Sequence, residues 1–76
     1  AYHSVRKRVA TALVRLCEQN AEKTINYYRD DLASIAGTAK ETLIRTLTDL
    51  KNEGLIAIKE GAITVIKLEK LRNLPN

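Results

Sequence analysis

The chain has 76 residues, 45% of them hydrophobic, and a formal net charge of +4. That length holds one thin-cored domain and leaves no room for an enzyme cleft with a separate substrate domain. A single cysteine excludes a disulfide scaffold, and the modest positive charge favours an anionic partner without specifying one.

Phe, Trp and Met are absent, so the core must come from Leu, Ile, Val and Ala. The start at Ala1-Tyr2-His3 reads as part of a longer chain. His3, the lone histidine, lies at an end expected to fray. Ser4 stands as a helix cap, and Val5, Val9, Ala12, Leu13 and Leu16 follow at helical spacing, predicting a first helix that ends near Asn20. Arg6, Lys7 and Arg8 crowd its first turn, where the helix dipole disfavours cations. They are either a solvated face or a surface for an upstream helix or partner. Cys17 follows Leu13 and Leu16 on the apolar side and reads as a small buried hydrophobe. It forms no metal or nucleophilic cluster with His3, and no phosphate loop is present, so an enzyme is not expected. No apolar run approaches the ~18 residues of a membrane span, and no signal peptide is visible. A membrane partner is not expected.

A polar connection over 21–24 leads into Thr24-Ile25-Asn26-Tyr27, whose β-branched and aromatic residues predict a short strand. Residues 29–36 predict a short helix. Asp30 and Asp31 favour its start, Leu32, Ala33, Ile35 and Ala36 form its inward side, and Gly37 stops it. A longer helix is predicted over 39–53, closed by Gly54. Strands over 55–58 and 62–66 flank Lys59-Glu60-Gly61, a tight hairpin signal. A last short helix over 68–74 ends at Pro75. This order predicts a mostly α fold with a small β-hairpin. It is a winged helix-turn-helix of three core helices plus a wing, filling residues 1–76 as one domain.

On a helical wheel of the longest of these motif helices, Ala39, Leu43, Thr46, Leu47 and Leu50 fall on one side. Glu41, Ile44, Arg45, Thr48 and Asn52 fall on the other, with Lys40 and Lys51 at its border. The amino-terminal part of such a helix meets base edges in a major groove. Lys40, Glu41, Ile44 and Arg45 are therefore the candidate base-reading residues. Arg45 suits guanine, Glu41 the amino group of cytosine, and Ile44 a thymine methyl. Two plainer readings compete. Thr38 and Glu41 fit a capping box, and Glu41 and Arg45, four apart, fit a surface ion pair.

The stretch from Arg29 to Arg45, continued by Leu47, Leu50, Glu53, Gly54, Leu55 and Ile56, resembles the carboxy-terminal domain of Crp/Fnr-type bacterial regulators. Its most specific part is the Gly-x-x-x-Glu-Thr-x-x-Arg run of Gly37, Glu41, Thr42 and Arg45, and the likeness covers nearly the whole chain. The resemblance implies sequence-specific binding of double-stranded DNA for transcription regulation, with Lys40, Glu41 and Arg45 reading bases and Tyr28 and Arg29 near phosphates. Thr38 in the turn and Lys59 on the wing complete the expected phosphate set. It further implies a preceding effector-sensing β-barrel and dimerisation helix, and a cytoplasmic homodimer. RNA polymerase is a candidate partner. No cofactor is expected in this domain, and the full-length effector, a cyclic nucleotide or another small molecule, is not specified. Three positions depart from the family pattern. Lys40 replaces a frequent arginine, Ala39 replaces the usual capping serine, and Tyr28 replaces the usual capping serine or threonine. A winged-helix module that binds protein instead of DNA is the alternative.

Overall fold

Ser4 accepts a hydrogen bond from the Lys7 amide at 3.1 Å, the expected cap, and α1 runs Val5–Asn20. The computed structural model describes residues 4–75, so His3 lies outside the described residues. α1 buries more than the stripe in its sequence, since Ala10, Val14 and Cys17 are covered along with Val9, Ala12, Leu13 and Leu16. The reason is position: α1 touches all three other helices and the first strand.

β1 is only Thr24–Ile25, shorter than the expected 24–27. α2 spans Arg29–Ala36, and Gly37 ends it in the left-handed region at φ 73°. Thr38 then donates to the Ala33 carbonyl at 3.0 Å, which satisfies an orphaned helix end. α3 spans Lys40–Asn52. Ala39, expected on the inner side, is instead the exposed residue before the helix, because α3 begins one position later. Ile35, also expected inside, is 41% exposed. Leu32, Ala33 and Ala36 fill the narrow contact of so short a helix, and Ile35 falls at its edge.

β2 is Ile56–Lys59 and β3 is Ala62–Val65. Their two-residue turn has positive φ at both Glu60 (52°) and Gly61 (83°), the combination that matches strand twist in a tight hairpin. The sheet is antiparallel with order β1-β3-β2, pairing Ile25 with Ile63 and Ile56 with Val65. These four side chains are buried, while the Thr24 and Thr64 hydroxyls meet outside at 3.2 Å. α4 is Leu68–Arg72. It buries Leu71 completely and is fixed to α1 by Arg72 to Glu18 at 2.6 Å. The core is the aliphatic set expected from composition, with Cys17 included.

Candidate nucleic-acid interface

α3 has two unlike faces. Leu43, Thr46, Leu47 and Leu50 are buried, and the Thr46 hydroxyl is satisfied by donating to the Thr42 carbonyl at 2.8 Å. Lys40, Glu41, Ile44 and Arg45 are all exposed on the other side, Ile44 by 43%. The competing local readings fail. Ala39 is the residue at the cap and makes no side-chain bond, so Thr38 and Glu41 do not build a capping box. Among the described residues, Glu41 and Arg45 form no ion pair within 4.0 Å. Lys40 does have a partner, the Asp30 carboxylate on α2 at 3.5 Å. Both groups are more than half exposed, so the pair is weak.

The start of α2 lies beside the start of α3 through that pair, and beside the wing through Arg29. One terminal nitrogen of Arg29 donates to the Gly61 carbonyl at the wing turn, 2.9 Å away, and the other to the Tyr27 carbonyl at 3.3 Å. Tyr28, next to it, is 82% exposed and does not cap α2 with its side chain. Lys59 is exposed where β2 meets the turn, and Thr38 is half-buried between α2 and α3. The sequence-predicted residues therefore form a continuous band: the outer face of α3, the turn before it, the first residues of α2 and the wing tip. Asp30 and the wing bond of Arg29 were not anticipated. The one signal for Asp30 was a carboxylate and an amine flanking a glycine turn.

The basic run of α1 is not a free solvated face. Arg6 makes a two-pronged ion pair with Glu53 at the end of α3. Lys7 donates to the Arg72 carbonyl at 3.0 Å, and Arg8 donates to the Gly37 carbonyl at 2.9 Å. Arg6 and Arg8 thus hold the far end of α3 and the turn before it. The hydrogen bond from Arg6 holds the Glu53 carboxyl below its ordinary value, and the same contact raises the Arg6 guanidinium. Burial pushes the Cys17 thiol up, which keeps it protonated and unreactive. No group of three metal-ligating side chains occurs among the described residues, and no described helix is long and apolar enough to cross a membrane.

Comparison with known proteins agrees with this architecture. Residues 7–74 match the model of the Crp-like helix-turn-helix domain. The chain is 34% identical over 65 residues to the Cyclic AMP receptor protein of Thermus thermophilus, covering 86% of this chain and 30% of that protein. It is 36% identical over 74 residues to the nitrogen fixation regulation protein FixK of Rhizobium meliloti, covering 92% and 35%. In three dimensions it resembles the Catabolite Activator Protein of Thermus thermophilus with a TM-score of 0.81 at 34% identity, over 88% of this chain and 33% of that one. A transcriptional regulator of the Crp/Fnr family from Eubacterium rectale gives 0.89 at 27% identity, over 93% and 33%. The chain spans about a third of the length of these relatives. With a helix-turn-helix, a wing behind it and this match over residues 7–74, the chain belongs to the Crp-like helix-turn-helix domain family.

Proposed function

We propose that the domain binds duplex DNA to regulate transcription, with α3 in the major groove. Lys40, Glu41, Ile44 and Arg45 face base edges, and Tyr28, Arg29, Thr38 and Lys59 lie along the phosphates. The observation that carries the reading is the outer face of α3. Four exposed side chains able to read bases stand on its amino-terminal half, including an isoleucine suited to a thymine methyl. The near balance of charge on α3 suits a reader of sequence, with phosphate contacts supplied by its neighbours.

The length of the relatives supports a larger protein. In it, an effector-sensing barrel and a dimerisation helix precede this domain, and the homodimer works in the bacterial cytoplasm and engages RNA polymerase. A small molecule such as a cyclic nucleotide binds the barrel, not this domain. The domain itself is a binding module without catalytic activity. Selection of bound sequences from random duplexes tests the proposal: a defined half-site should be enriched. If nothing is enriched and no duplex is retained at low salt, the protein-binding alternative replaces it.

A further inference from the structure

Arg29 lies where a phosphate contact was expected, yet its guanidinium is already engaged inside the protein. β1 pairs with β3 only at Ile63 and Thr64, so the tip of the hairpin, Lys59 to Ala62, projects past the three-stranded part of the sheet. Across that gap, the wing bond within the described residues is the 2.9 Å contact from Arg29 to the Gly61 carbonyl. The second prong, to the Tyr27 carbonyl at 3.3 Å, fixes the plane of the guanidinium. Arg29 is the first residue of α2, so its backbone is set by the helix. The Gly61 carbonyl belongs to a turn whose two residues both sit at positive φ, a conformation that fixes where it points.

We propose that Arg29 is a positioning residue for the wing: it latches the turn at Gly61 to the start of α2, so that Lys59 and α3 meet one duplex in register. A lysine at this position would keep the charge but present one compact ammonium on a flexible stem, and could not hold both carbonyls with a planar fork. A residue that only attracts phosphate tolerates lysine, whereas a latch does not. The DNA half of the proposal rests on the function proposed above; the latch itself is readable without DNA.

Two measurements on the chain, made with Arg29→Lys and Lys59→Ala, test it. In the free protein, Arg29→Lys should speed amide hydrogen exchange at Lys59 and Ala62, the pair that closes the hairpin, about tenfold while the core amides of Leu13 and Leu47 hold their rates. The unchanged core amides show that the variant is folded. In DNA titration, using a short duplex enriched by the parent chain from a random pool, Lys59→Ala should weaken the parent about fivefold. It should weaken Arg29→Lys by less than about twofold, because an unlatched wing has already lost much of that contact. Unchanged exchange at Lys59 and Ala62 overturns the latch. An equal loss from Lys59→Ala in both backgrounds overturns the coupling to DNA, as does no loss in the parent. A parent that binds no duplex sinks the functional reading, and with it the DNA half, while the exchange data still decide the latch.

Discussion

In the proposed reading, base recognition turns on Arg45, which stands one helical turn beyond Glu41 on the exposed face of α3. Arg45→Ala should stay folded and blur one position of the selected half-site, at about 1–3 kcal/mol of discrimination. Site selection repeated with the variant checks this; a pattern identical at every position would move the reading face elsewhere. Glu53 gives a second residue-scale expectation. Its carboxyl is held below its ordinary value near 4.5 by the Arg6 hydrogen bond. A lowered folded value means the stabilisation is present above the unfolded value and is lost as pH falls through the folded one. Glu53→Gln should therefore melt lower than the parent at neutral pH, with the gap closing at an acid pH below the lowered folded value. The gap should be small because the pair is exposed. Melting curves at the two pH values read it directly.

At the scale of the elements, α3 opens without a side-chain cap, since Ala39 has no hydroxyl to offer its first-turn amides. Ala39→Ser should raise stability by about 0.5–2 kcal/mol, seen as a higher urea midpoint at unchanged slope. Leu47→Ala, on the opposite face and 1% exposed, should remove about 2–5 kcal/mol. In a domain this small that nearly unfolds the chain, and circular dichroism would show it. The elements were legible because their punctuation is local: Ser4 opens α1, Gly37 separates α2 from α3, and Glu60-Gly61 turns the wing. Edges were less legible. Ile35 carries the right spacing for burial, but how far α1 reaches across α2 is not written in the spacing of α2. The exposed face of α3 was legible because the helical period that buries Leu43 and Leu47 necessarily exposes Ile44 and Arg45. The partners of its neighbours were not. Arg6 meets Glu53 across 47 positions, and Arg29 meets Gly61 across 32. No local pattern carries pairings that depend on how the helices are stacked.

For the whole molecule, the net charge of +4 is spread so that much of it serves internal contacts. Seven of the thirteen lysines and arginines make no side-chain hydrogen bond or ion pair among the described residues, but a single copy engages one half-site without avidity, so it should bind DNA weakly. Its affinity should still fall with salt, because phosphate contacts release counterions at about one unit of slope for each. Duplex titration at two salt concentrations measures the slope, and salt-independent binding would remove the phosphate contacts from the proposal. Joining two copies at the spacing of a symmetric site should raise affinity by about 10² or more without any new contact, through effective concentration alone.

The strand β1 lies ahead of the helix-turn-helix in the chain, yet it pairs with β3 behind it, and Thr24 meets Thr64 across 40 positions. Closing so long a loop costs entropy that no nearby contact returns. β1 should therefore join the β2–β3 hairpin only after α2 and α3 have docked and brought the two together, as a late event on the folding path. Once closed, the sheet brackets α2 and α3 in the chain between two of its strands. The helix-turn-helix then cannot open without breaking the sheet, and the domain should unfold in a single step.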